Sequence, residues 1–80
     1  MAKYARFQEF QQVRLKHDRP SMSEHPFTQL DIPRKVTTSD RGIIVDVHDV
    51  ERPGYEVEFF DDDKIVDLIT LHEYEIEPWE

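Results

Sequence analysis

One stretch leaves little freedom in how this chain folds. Tyr55-Glu56-Val57-Glu58-Phe59 alternates apolar and charged residues strictly. Period-two alternation fits a strand with one face buried, here Tyr55, Val57 and Phe59 inward and Glu56 and Glu58 outward. The segment before it, Gly42-Ile43-Ile44-Val45-Asp46-Val47-His48, is rich in β-branched residues, with Ile43, Val45 and Val47 expected on one face. Glu51-Arg52-Pro53-Gly54 between the two reads as a turn, Pro presetting φ and Gly free to take a positive one. Asp61-Asp62-Asp63 reads as the next turn. Lys64 to Leu71 is a third strand, with Val66, Leu68 and Thr70 on one face and Ile65, Ile69 and Leu71 on the other. Apolar residues on both faces mean burial on two sides, or an exposed face that awaits a partner; a monomer and a homodimer are both compatible with this pattern.

The ends are less regular. Gln12-Val13-Arg14-Leu15-Lys16 alternates and predicts a first strand, starting as early as Phe10. Residues 17–34 are interrupted by Pro20, Pro26 and Pro33, which disfavours a helix or a central strand. So long a loop is uncommon in a small domain. It either moves or packs through Met22, Phe27, Leu30 and Ile32. Val36-Thr37-Thr38 could add a strand ahead of Gly42. At the other end, His72-Glu73-Tyr74 suggests a 3₁₀ turn and Glu75-Ile76-Glu77 a closing strand that Pro78 stops. About five short strands with tight turns predict a small barrel or sandwich, and closure would remove exposed sheet edges.

A chain of 80 residues makes one domain near the lower limit for a self-sufficient core. We divide it into a first-strand region (6–16), a long loop (17–41) and a barrel meander (42–80). There is no cysteine, so disulfides and cysteine-zinc sites are excluded. No apolar run approaches the ~20 residues that span a bilayer, and none of signal-peptide length follows the N-terminus. The reading is a cytoplasmic protein with no membrane partner.

The order of segments Phe7-Gln8-Glu9-Phe10-Gln11-Gln12-Val13-Arg14-Leu15, Gly42-Ile43-Ile44-Val45-Asp46-Val47, Gly54-Tyr55-Glu56-Val57-Glu58-Phe59-Phe60-Asp61 and Leu68-Ile69-Thr70-Leu71 resembles a family of short bacterial proteins of unknown function. The resemblance spans residues 7–16 and 41–78. It implies an all-β fold, a small SH3-like barrel of about five strands with a long loop after the first. Some members resemble antitoxin or immunity components. The chain departs from the family between Asp18 and Arg41, where members pass to the glycine through a shorter loop.

Residue chemistry points away from catalysis. His17, His25, His48 and His72 lack helical i,i+4 spacing and metal motifs. Strands could still gather His48 and His72, but they read as ordinary surface histidines, and we assign no metal. Asp61-Asp62-Asp63 lacks the alternating oxygen ligands, glycine and distal glutamate of a calcium loop. Glu56 and Glu58 are paired carboxylates without a deep pocket. Ser21, Ser23 and Ser39 lie in loops without a glycine elbow, and two glycines build no phosphate loop. We expect no enzyme and no cofactor.

Charge then separates the binding readings. Residues 1–41 hold eight Lys/Arg and five Asp/Glu, +3, while residues 42–80 hold two and thirteen, −11, together the net −8. An acidic half repels phosphate backbones and speeds encounter with a basic protein. The leading expectation is an acidic antitoxin or immunity-type inhibitor that blocks a basic partner, a toxin or nuclease, by carboxylates and aromatic anchors. The candidate residues are Tyr74, Trp79, Glu73, Glu75, Glu77, Glu56 and Glu58, since aromatic anchors ringed by charge resemble a binding hot spot. Glu75-Ile76-Glu77 could also extend a partner's sheet. One alternative is an RNA- or ribosome-associated barrel binding through Arg14, Lys16, Arg34, Lys35 and Arg41, disfavoured by the acidic half. Another is an accessory or regulatory subunit docked by the long loop.

Overall fold

The computed structural model describes residues 2–80. It contains β1 (Gln12–Leu15), β2 (Arg41–His48), β3 (Gly54–Asp61), β4 (Lys64–His72), a 3₁₀ turn (Glu73–Glu75) and β5 (Ile76–Pro78). The strands are all antiparallel, in the order β4-β3-β2-β1-β5. A meander of three strands, with β1 and β5 added beyond β2 and a 3₁₀ turn joining the two ends of the order, is a small SH3-like barrel. Among the described residues no helix is long and apolar enough to cross a membrane.

β3 behaves as its alternation demands. Tyr55, Val57 and Phe59 are fully buried, and Glu56 and Glu58 lie on the outer face, half-buried. With Val13, Leu15, Val36, Ile44, Val66, Ile69, Leu71 and Ile76 they form the core. Gly42 lies opposite Phe59 on β3 and Val13 on β1. A Cβ there would sit 2.7 Å from Val57 Cγ1 and 2.8 Å from Phe59 Cε1. Glycine is thus required by close approach. Gly54, by contrast, opens β3 without a positive φ, and Asp62 (φ 59°) supplies the left-handed residue of the β3–β4 hairpin instead.

Two β-bulges overturn simple alternation. The β2–β3 register runs Ile44↔Val57 and then Asp46↔Glu56, so Val45 is an extra residue. Ile43, Val45 and Val47 therefore do not share a face: Ile44 is buried, and beyond the bulge Val47 turns inward against the core. The β3–β4 register runs Phe59↔Asp67 and then Phe60↔Ile65, so Val66 is extra. Val66 is consequently buried while Leu68 and Thr70, of the same parity, are not.

The proline-rich segment is ordered, but not by its apolar residues. Only Leu30 packs on the core; Met22, Phe27 and Ile32 are exposed. Its anchor is Asp67, on the core side of β4 and 3% exposed. The carboxylate accepts from the Ser23 hydroxyl and from the N–H groups of Phe27 (2.9 Å) and Leu68 (2.8 Å). Beside it, Gln29 N–H donates to Ile65 C=O and Ile65 N–H to Gln29 Oε1, both at 2.8 Å. The loop thus covers one end of β4, the edge strand. Val36 is buried without forming a strand, and Asp40 closes the following turn by accepting from Thr37 N–H (2.8 Å).

The N-terminal segment is fastened the same way. Asp49 accepts from the N–H groups of Lys3, Tyr4 and Ala5 at 2.7–2.8 Å. Tyr55 Oη accepts from the N–H groups of Arg6 and Phe7 and donates to Glu73 (2.7 Å). Phe7 meets the Tyr55 ring edge-on.

Gly42→Ala should cost about 1–3 kcal/mol, the usual range for overpacking a core, read as a lower urea midpoint at unchanged m-value. The acid limb of stability follows from the carboxylates. Backbone N–H groups hold the Asp49 carboxyl below its ordinary value. Burial pushes Asp40 up, but the Arg34 guanidinium and Thr37 N–H outweigh it and hold it down. Stability from both is fully present above the unfolded value of about 4 and is lost as pH falls through the lower folded values. The melting temperature should fall from pH 5 to pH 2.5, and Asp49→Asn should make that fall shallower.

Candidate interaction surface

The acidic tail is largely occupied within the fold. Glu73 Oε2 accepts from Tyr55 Oη and from Arg6 N–H (2.8 Å), which locks it to the N-terminal segment. Glu75 Oε1 accepts from His72 N–H at 2.9 Å and caps the 3₁₀ turn. Glu77 pairs with Arg14 (3.7 Å). Tyr74 is 69% exposed and stacks on His72. Trp79 lies under the Arg14 guanidinium, 5.0 Å from ring centroid to Cζ. The two aromatics do not meet in one groove: Trp79 lines one with Arg41 and Phe60, and Tyr74 lines others with Pro53 and Pro20.

β5 is also a poor strand donor. It includes Pro78, which we expected to lie beyond it. Lys16 N–H donates to Glu75 C=O and Trp79 N–H to Gln12 C=O, so residues 75, 77 and 79 turn their polar groups toward β1. The free edge is left with Ile76 and Pro78. Ile76 N–H donates to Glu73 C=O, and proline has no N–H. That edge has no donor to offer a partner's sheet.

Most of the basic residues are engaged within the fold. Arg14 is held by Trp79 and Glu77. Arg34 makes a two-pronged pair with Asp40 (2.8 and 2.9 Å) and reaches Asp61 (3.3 Å). Arg41 lies over the Phe60 ring. Lys16 and Lys35 are exposed, with no ion pair among the described residues. Three of the five cations are thus already engaged by carboxylates or aromatic rings.

The outer face of the β2–β3–β4 meander has the opposite character. Register places Glu58 between Ile43 and Leu68, Glu56 between Asp46 and Thr70, and Phe60 between Arg41 and Ile65. Ile43, Glu58, Phe60, Ile65 and Leu68 are all half-buried. Glu58 here stands in an apolar frame on a hydrogen-bonded sheet, while Glu56 has polar neighbours. Glu56 and Glu58 were legible in the sequence; the cross-strand neighbours of each were not, because their placement depends on the register.

His48 and His72 flank Gly54 from opposite sides and are separated by β3. His48 instead meets Glu56 (2.8 Å) and Asp46 (3.9 Å). One donor atom from each of Asp46, His48 and Glu56 lies within 4.8 Å of the others, a grouping that could hold a metal ion. The sequence reading assigned these residues no metal role, since Glu56 joins Asp46 and His48 only through the β2–β3 ladder.

In comparisons with known proteins, no family model, no curated protein and no solved structure matches the chain.

Proposed function

We propose that this protein is a non-catalytic binding module that meets a basic protein partner on the outer face of β2–β3–β4, acting as an antitoxin or immunity-type inhibitor by steric and electrostatic block. The observation that carries the reading is the setting of Glu58, a half-buried carboxylate between Ile43 and Leu68. Such a group is cheap to desolvate against a partner's Lys or Arg, while its apolar neighbours supply contact area and exclude water. The −11 of residues 42–80 favours fast encounter with a basic surface. Glu73 and Glu75 support the surface from within and do not contact the partner.

The test is affinity capture from host lysate at low and high salt, with nuclease treatment, using wild type, Glu58→Lys, Leu68→Arg and the control Glu51→Lys. One basic protein should survive nuclease treatment and weaken with salt. Its affinity should drop by at least about tenfold, or 1.4 kcal/mol, in Glu58→Lys and Leu68→Arg, with Glu51→Lys near wild type. Recovery of RNA, lost when Arg41 and Lys35 are replaced, would transfer the function to the basic half.

A further inference from the structure

The Val45 bulge does more than turn Val47 inward. If the Ile44↔Val57 register continued unbroken, Asp46 would oppose Tyr55 and face the core. The extra residue moves Asp46 opposite Glu56 and carries His48, two residues on, to the same outer face. Bulges recur where a side chain must be re-aimed. Here one bulge delivers an imidazole and a carboxylate from β2 to a carboxylate of β3.

We propose that Asp46, His48 and Glu56 form a binding site for a divalent transition-metal ion of the Zn²⁺ class. The donor spacing supports this. Ligands bound at about 2.0–2.1 Å in tetrahedral geometry lie roughly 3.3 Å apart. His48 Nε2 is 2.8 Å from Glu56 Oε2 and 3.9 Å from Asp46 Oδ2, one distance shorter and one longer than that value. All three donor atoms lie within 4.8 Å of one another, and the side chains are 33–57% exposed, so rotation about side-chain bonds can bring them to an ion between them. The strands themselves need not move.

The orientation of the donors is partly set in advance. Asp46 Oδ1 accepts from Val47 N–H at 2.9 Å, which fixes the carboxylate and leaves Oδ2 toward His48. Two hydrogen-bonded strands hold the three backbones in fixed register, and sites built on such elements are more accurate than sites on loops.

The donor set selects the class of ion. One imidazole nitrogen with two carboxylate oxygens suits Zn²⁺, Co²⁺ or Ni²⁺. Ca²⁺ and Mg²⁺ prefer a fuller shell of oxygens. Three protein ligands leave at least one coordination position facing solvent, for water or an outside donor. The bound ion would add a cross-strand link between β2 and β3 beside the loop that joins them. The site shares the outer face with Glu58 and Leu68 but uses neither residue, so metal binding by the purified protein is read independently of partner binding.

The test is titration of the whole protein with ZnCl₂ by calorimetry and with CoCl₂ by visible absorption. Wild type should bind one Zn²⁺ saturably and show the d–d bands of nitrogen–oxygen-coordinated Co²⁺, and Zn²⁺ should raise its melting temperature. His48→Ala and Glu56→Gln should each weaken binding by more than about tenfold, as loss of a ligand requires, and remove the thermal shift. His72→Ala and His25→Ala should bind like wild type. Circular dichroism of the metal-free variants separates lost binding from lost folding, and Asp46→Asn is the substitute if either fails to fold. Absence of saturable binding, equal response to Ca²⁺, or binding that survives His48→Ala would overturn the proposal.

Discussion

Backbone N–H groups outside the strand ladders need other partners, and in this chain side-chain carboxylates provide many of them, mostly at exposed positions. The strands are short, and well over half of the residues lie outside them. The irregular segments have few ladder partners. Asp49 takes three N–H groups of the N-terminal segment, Glu73 a fourth, Asp67 one from the proline-rich loop, Asp40 one from the turn before β2, and Asp18 that of Thr38. Hydrogen bonds to an ionised acceptor are about twice as strong as neutral ones. A thin core can therefore hold long non-repetitive segments, provided the carboxylates stay charged. Tyr55 joins the two systems: its ring is in the core and its hydroxyl bridges the N-terminal segment to Glu73.

This structural use of acidity changes how the net charge bears on function. A count of carboxylates treats Glu73, Glu75 and Glu77 as equivalent to Glu58. The fold does not. The first three are committed to Tyr55, the 3₁₀ turn and Arg14. Glu58 stands on an open sheet face between two aliphatic side chains. A carboxylate already satisfied within the fold would have to give up its partner to serve another molecule, whereas Glu58 would not. The same reasoning weighs against the basic half as a nucleic-acid surface, since Arg14 and Arg34 are already in ion pairs.

The sequence made β3, its flanking hairpins and the 3₁₀ turn legible, because strict alternation and turn residues report local geometry directly. It did not reveal the two bulges. A bulge shifts the parity of every residue beyond it, and the choice between Val45 outward and Val47 inward is made by packing across strands. From that slip follow the misplaced faces of β2 and β4 and the grouping of Asp46 and His48 with Glu56, whereas Asp67 shares the parity of the buried Ile69 and Leu71 and faces the core without it. The loop was misread for a related reason. Its apolar residues suggested an apolar anchor, but only Leu30 packs on the core, and the rest of the anchorage is polar, through the buried Asp67 carboxylate and the Gln29–Ile65 hydrogen bonds.

The sheet's two edges determine which kind of partner contact remains open. Along β4, the N–H groups of Ile65, Leu68 and His72 donate to Gln29, Asp67 and Glu75 side chains. Along β5, Ile76 is bonded to Glu73 and Pro78 has no N–H. β4 and β5 do not pair with each other, so the barrel keeps two edges, and side-chain plugs on one with missing donors on the other restrain strand addition. The face of β2–β3–β4 has no such protection, and its half-buried apolar residues lie beside carboxylates that carry net negative charge. A partner that recognised this protein by extending its sheet would first have to break existing hydrogen bonds, whereas one that docked across the face would meet half-buried apolar side chains and Glu58 between them. Binding across the face is therefore the lower-cost route for this fold.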